Sequence, residues 1–208
     1  MIRYPSTDEI PKIIRCYKSA FKDSITTRFG DKFISKIIEW YIVENDCFLF
    51  YFEDKGRCVG FCGGKIGSGS SSAMLQYAFR RAFVSLLARP WILFDPLILT
   101  RLRFIFSNIR KKLFNTTNTP SDKGIFHDSA GLVTIGVDPS SQGRGIGGKL
   151  MNEFDSKVAS LGIYKAHLSV EKNNSAALNL YIKNGWKKMG PNGRDGIALI
   201  KRYEGKVL

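Results

Sequence analysis

The most informative stretch of this 208-residue chain reads VDPSSQGRGIGG and runs from Val137 to Gly148. It follows an apolar, β-branched segment, 131–137, that predicts a strand, and it leads into a periodic segment, 145–161, that predicts an amphipathic helix. Four of its last six residues are glycine, which allows a tight turn with exposed backbone. Converging N–H groups and the positive end of a helix dipole suit such a turn to bind a pyrophosphate.

The glycine spacing separates this turn from two other phosphate-binding loops. A dinucleotide-binding fold would need G-x-G-x-x-G, whereas the glycines here alternate from Gly143 to Gly147. A Walker loop would need Ser or Thr after its lysine, but Leu150 follows Lys149, so the magnesium-binding hydroxyl is missing. On this stretch alone, a purely structural glycine turn stays open as an interpretation.

A second motif, NSAALNLYIKNGW, runs from Asn174 to Trp186 and predicts a helix that Gly185 ends. With 142–147, it resembles the GNAT superfamily of N-acetyltransferases, whose signatures read Q/R-x-x-G-x-G/A and N-x-x-A-x-x-x-Y-x-x-x-G-[FW]. The close resemblance covers 131–186, which we interpret as an acetyl-CoA-binding core.

The resemblance implies a mixed α/β (α+β) fold with a mostly antiparallel central sheet flanked by helices. Its central strands would splay apart to admit acetyl-CoA as co-substrate, with the pantetheine arm along 135–137. The residues that the resemblance implies for binding are Ile135, Val137, Gln142, Gly143, Arg144, Gly145, Ile146, Gly147, Gly148, Asn174 and Tyr181.

The reaction that the resemblance implies is direct acetyl transfer to a primary amine. Tyr181 would protonate the departing CoA thiolate, although a core aromatic in an amphipathic helix is the alternative. A backbone N–H near Val137 would stabilise the oxyanion. Because the amine must also lose a proton, we consider His127, Asp128 and Glu171 as bases, acting directly or through water. We predict Tyr181 and Glu171 as the catalytic residues.

The chain is strongly basic, with 32 Lys+Arg against 18 Asp+Glu and a net charge of +14. Such a surplus favours anionic partners without choosing among them, and a solvated basic surface explains it equally well. No nucleic-acid-binding motif is readable, so we predict no nucleic-acid partner.

Much of the positive charge lies in one segment. Residues 74–114 carry eight Lys+Arg and one acid. Polar breaks flank this region, which predicts a basic, mostly helical insertion over 67–124 within a single acetyltransferase domain spanning 1–208. The insertion would bind an anionic acceptor such as a nucleotide-linked amino sugar, lie on an anionic membrane surface through 74–114, pack on the core, or form a homodimer contact.

Cysteine and histidine usage argues against a metal centre. The four cysteines, two of them spaced C-x3-C, have no histidine nearby, so we predict no metal and reduced thiols. The N-terminus lacks an apolar signal core, and no stretch reaches the ~20 apolar residues of a membrane span, so we expect a cytoplasmic protein.

The sequence therefore predicts an N-acetyltransferase acting on a small-molecule amine. Two alternatives stay open, a non-catalytic acyl-CoA-binding regulator and an acetyltransferase that acts on a protein amine.

Overall fold

The computed structural model describes residues 1–67, 74, 77–78, 128–193 and 195–203. The strands of this part of the chain form one seven-stranded sheet. They are β1 (Ile2–Arg3), β2 (Cys47–Asp54), β3 (Arg57–Ile66), β4 (Ala130–Val137), β5 (Lys165–Glu171), β6 (Lys187–Asn192) and β7 (Gly196–Arg202). The order is β1-β2-β3-β4-β5-β7-β6, and only β4 and β5 pair in parallel. The predicted mixed, mostly antiparallel sheet is confirmed.

Helices cover both faces of the sheet. They are α1 (Ile10–Ala20), α2 (Ile25–Arg28), α3 (Asp31–Val43), α4 (Ile146–Ser160) and α5 (Ser175–Lys183). Buried residues of α1 and α3 form one apolar cluster with the sheet, and those of α4 and α5 form a second cluster on the opposite face. Within the described ranges, no helix has both the length and the apolarity needed to cross a membrane.

Local sequence signals explain the first elements. The N–H of Ser6 donates to Glu9 Oε2 at 3.3 Å, as expected for a capping box with the sequence Ser6-Thr7-Asp8-Glu9. Lys55 and Gly56 have φ values of 48° and 75°, and this pair of left-handed residues is what a two-residue hairpin turn demands. Short sequence motifs therefore explain both the start of the first helix and the turn of the β2–β3 hairpin.

The start of the predicted insertion packs on the domain. Met74 and Ala78 are buried in the cluster beneath α1 and α3, and the hydroxyl of Tyr41 contacts Met74 Sδ at 3.5 Å. Most of the predicted insertion lies outside the described residues, as does the candidate base His127.

The two central strands separate soon after they begin to pair. β4 and β5 are joined at only two positions, Ala130 with Ala166 and Gly131 with His167. Beyond Gly131 the strands diverge, as predicted. β4 also carries a bulge there, because its register with β3 moves from Leu132 to Thr134 and leaves Val133 without an opposite residue.

Candidate active site

The divergence of β4 and β5 creates a cleft of about 660 Å³. The strands supply its sides, the loop after β4 closes one end, and α5 and the end of α1 complete the wall. Every residue predicted from sequence to bind the cofactor lines this cleft, with the exception of Arg144. Glu171, the predicted base, lines it too.

The backbone of β4 turns hydrogen-bonding groups into the cleft. In an antiparallel ladder, alternate residues direct both their N–H and C=O towards the partner strand. The Asp138 N–H donates to the Val59 carbonyl at 2.9 Å, so the residues that alternate with Asp138 face β3. Ile135 and Val137 therefore turn their backbone groups towards β5, which no longer pairs with β4 at this level.

The glycine-rich residues 142–148, here called the glycine loop, include the N-terminus of α4. Gly143 and Gly145 have φ values of 76° and 74°, a left-handed conformation that glycine adopts without strain. The first i to i−4 bond of α4 runs from the Lys149 N–H to the Gly145 carbonyl at 3.1 Å. The three preceding N–H groups, of residues 146–148, thus have no partner within the helix. The first turn of α4 contains no acidic residue, so its free N–H groups and the positive end of the helix dipole are available to an anion.

Gln142 ties the loop to the strand before it. Its side-chain Nε2 donates to the main-chain carbonyl of Val137 at 3.2 Å. The loop therefore returns to the end of β4, which brings the cleft-facing backbone of the strand next to the helix N-terminus.

Arg144 is held away from the cleft. Its guanidinium pairs with Asp54 Oδ2 at 2.9 Å, in the turn between β2 and β3. Sequence reasoning gave no indication of this partner, because the two residues are 90 positions apart. The structure therefore places Arg144 as a support for the back of the loop.

Tyr181 lies in the cleft wall on α5. Its side chain is buried, and burial raises the pKa of its phenol above the usual value. The phenol therefore carries its proton at neutral pH. Its hydroxyl makes no hydrogen bond with any residue that the structure describes.

Asn174 begins the same helix. Its Oδ1 accepts a hydrogen bond from the Ala177 N–H at 3.1 Å, which caps α5. The side chain lines the cleft while it sets the start of the helix that carries Tyr181.

The candidate bases are separated by the fold. Glu171, the last residue of β5, lines the cleft on the same strand face as Ser169 and His167. Asp128 precedes β4 at the end away from the glycine loop and does not line the cleft. His167 accepts or donates a hydrogen bond with Ser129 Oγ at 3.1 Å, and burial lowers its pKa.

Several residues that line the cleft were not predicted from the sequence. Phe21 and Ala20, at the end of α1, form part of the wall. Apolar residues such as Ile10, Ile13 and Tyr17 recur at helical spacing in α1, which indicates a helix facing the core, but this pattern gives no sign that the end of the helix reaches the cleft. Ser169 could have been found, because it alternates with the buried Leu168 and Val170 and so must lie on the other face of β5.

Comparison with known proteins finds a family to which part of the chain is similar. Residues 114–186 match the acetyltransferase (GNAT) family. The match contains the glycine loop, β5 and the helix that carries Tyr181.

Two curated acetyltransferases are similar to part of the chain. The chain is 36% identical over 76 residues to mycothiol acetyltransferase of Streptosporangium roseum, covering 36% of this chain and 23% of that protein. It is 44% identical over 57 residues to the N-alpha-acetyltransferase RimI of Mycobacterium tuberculosis, covering 27% of this chain and 34% of that one. The chain thus matches about a quarter to a third of the length of these relatives.

The fold of the chain is similar to that of a solved structure over nearly its whole length. PaiA N-acetyltransferase from Thermoplasma acidophilum, solved in complex with coenzyme A, superposes with a TM-score of 0.59 at 15% identity. The superposition covers 98% of this chain and 98% of that one. At this level of identity the likeness concerns the fold.

Proposed function

We propose that this protein is an N-acetyltransferase that transfers an acetyl group from acetyl-CoA to the primary amine of a small molecule. One observation carries the proposal. The opening between β4 and β5 ends at a glycine-lined helix N-terminus and has the protonated phenol of Tyr181 in its wall.

The groups around the opening fit CoA. The cleft-facing backbone of Ile135 and Val137 would pair with the amides of the pantetheine arm. The N–H groups of 146–148 would hold the pyrophosphate. Asn174 would contact the arm while it caps α5.

Two side chains would carry the proton transfers. Acetyl-CoA supplies the activated acyl group as a thioester. Glu171 would remove a proton from the acceptor ammonium, directly or through water. Tyr181 would give its proton to the departing sulfur, a general-acid contribution of typically ~100- to 10,000-fold.

The acceptor amine is not identified by the cleft itself. Among the described lining residues, Glu171 is the one carboxylate and none is Lys, Arg or His. This lining suits an approaching ammonium group. An anionic acceptor, such as a nucleotide-linked amino sugar, would need cations from elsewhere, and the basic segment 74–114 is our candidate for them.

A protein N-terminus is the second candidate acceptor. The observation in its favour is the 44% identity to RimI over 57 residues, since that relative is named as an N-alpha-acetyltransferase.

A two-stage measurement tests the proposal. Calorimetry with CoA should first detect binding to the purified chain. Thiol release from acetyl-CoA should then rise with at least one member of a panel of amino sugars, polyamines, amino acids and peptides with free N-termini. CoA binding without amine-dependent thiol release across the panel would instead favour a non-catalytic acyl-CoA-binding regulator.

A further inference from the structure

Asp138 stands at the junction of the glycine loop and α1. Its Oδ1 accepts hydrogen bonds from the backbone N–H and the hydroxyl of Ser140, at 2.9 and 2.5 Å. Its Oδ2 accepts a hydrogen bond from Ser19 Oγ at 2.6 Å. Ser19 lies in the last turn of α1, 119 positions earlier in the chain. The carboxylate thus accepts three hydrogen bonds, two from its own loop and one from α1, which is far away in the sequence.

The main chain of Asp138 is fixed as well. Its N–H donates to the Val59 carbonyl at 2.9 Å, and its own carbonyl accepts from the Ser141 N–H at 2.8 Å. Asp138 does not line the cleft. Its carboxylate instead accepts hydrogen bonds from Ser19 and Ser140 of the protein itself.

Cleft residues adjoin this junction on both sides. Val137 immediately precedes Asp138, and Gln142 follows four positions later. On the other side, Ala20 and Phe21 directly follow Ser19 and form the α1 part of the wall. The carboxylate therefore links the loop end of the cleft to the part of its wall that the end of α1 forms.

We propose that Asp138 is a positioning residue that couples the glycine loop to the end of α1, so that CoA bound at the loop orders the α1 wall where the acceptor approaches. The proposal rests on the proposed function, because it requires CoA to occupy the loop. It assigns to Asp138 and Ser19 a role in linking the two halves of the site.

The physical basis is the stiffness of this junction. Hydrogen bonds to an ionised carboxylate are shorter and stronger than those between neutral groups. Phe21 leaves the helical conformation, with φ −126° and ψ 50°, and its carbonyl accepts hydrogen bonds from Thr27 Oγ1 at 2.7 Å and from the Ser24 N–H at 3.1 Å. Ser19 adds the side-chain bond that connects this end of α1 to Asp138 and the glycine loop. A ligand that immobilises the loop therefore restrains α1 through Ser19.

Hydrogen exchange with and without CoA tests the coupling without an acceptor. The reporter is the Phe21 N–H, which bonds the Tyr17 carbonyl at 2.9 Å. In the wild-type protein, CoA should slow its exchange about tenfold, which is a modest shift in local opening. In Ser19→Ala, CoA should bind with a Kd within about twofold of wild type, but most of the slowing at Phe21 should disappear.

Ser160→Ala is the matched control. Its hydroxyl also makes one hydrogen bond, to the Lys157 carbonyl at 2.8 Å, at the far end of α4. It should keep both CoA binding and the slowing at Phe21. Asp138→Asn should weaken CoA binding about tenfold and remove the slowing, and if this variant does not fold, Ser19→Ala decides the matter.

The outcomes separate the two proposals. Full slowing at Phe21 in Ser19→Ala, or no slowing in a wild-type protein that binds CoA, would overturn the coupling and leave the acetyltransferase proposal standing. A wild-type protein that does not bind CoA would overturn both.

Discussion

Gln142 Nε2 lies 3.2 Å from the main-chain oxygen of Val137, so the first side chain of the glycine loop is bonded to the last residue of β4. This bond sets the distance between two parts of the cleft that a single CoA molecule would span. The pantetheine arm would follow the strand, and the pyrophosphate would lie on the loop.

Gln142→Ala should weaken CoA binding by up to about tenfold, since a neutral hydrogen bond contributes about 0.5–1.5 kcal/mol. Calorimetry with CoA gives the value directly. Asn184→Ala is the matched control, because it removes a comparable amide-to-carbonyl bond, to Leu180 O at 2.7 Å, at the other end of α5. Equal effects of both variants on CoA binding would contradict a specific role for Gln142.

Gly145→Ala should cost about 1–2 kcal/mol of folding free energy, because an alanine disfavours its left-handed conformation. It should also weaken CoA binding by distorting the helix N-terminus. Gly162→Ala places the same strain, at φ 69°, beyond the end of α4 and outside the cleft. We expect equal losses of stability in urea unfolding but a loss of CoA affinity only in Gly145→Ala. Unchanged CoA affinity in both variants would argue against pyrophosphate binding by the loop.

Tyr181→Phe should leave CoA binding and stability nearly unchanged, because its hydroxyl has no hydrogen-bond partner among the described residues. Turnover should fall ~100-fold or more as the proton donor is lost. Tyr203→Phe provides the contrast, since its hydroxyl donates to Asp155 at 2.7 Å. That variant should lose stability and keep turnover. Full thiol release by Tyr181→Phe would remove the acid role.

Glu171→Gln should lower kcat/KM for the amine about 100-fold with an unchanged Kd for CoA, because it would impair deprotonation of the acceptor. Steady-state thiol release measures the change. Glu153→Gln, which alters a carboxylate bonded to the Tyr4 hydroxyl at 2.9 Å on α4, should have no such effect. If Glu171→Gln turns over normally, the base is another group.

Acidification should destabilise the protein partly through Asp138. The hydrogen bonds from Ser140 and then Ser19 hold the pKa of this carboxyl below the 3.8 usual for Asp. A lowered folded pKa contributes stability that is complete above the unfolded value and is lost as the pH falls through the folded one. Urea unfolding at about pH 6 and about pH 3 should therefore reveal a smaller acid loss in Asp138→Asn than in wild type. An equal loss would mean that the carboxyl contributes nothing.

The sequence predicted those parts of the fold that depend on neighbouring residues. The capping box at Ser6, the turn at Lys55-Gly56 and the glycine spacing of 143–148 each act within a few positions, so their geometry is readable before the chain folds. The divergence of β4 and β5 followed only from the family resemblance.

The supports behind the site were not predictable. Arg144 meets Asp54 across 90 residues, and Ser19 meets Asp138 across 119. No periodicity relates such pairs, because their proximity results from the order of the strands in the sheet. The bulge at Val133 could not be predicted from the sequence either, because it depends on how β3 and β4 pair.

The short pairing between β4 and β5 has a consequence for the folding stability of the protein. The two strands pair at only two positions and then diverge. A CoA molecule bound between them would occupy the gap and bond to backbone groups that have no partner strand there. Ligand at 100 times its Kd adds about 2.7 kcal/mol to folding stability. If CoA binds there as proposed, it would therefore also stabilise the folded protein against unfolding.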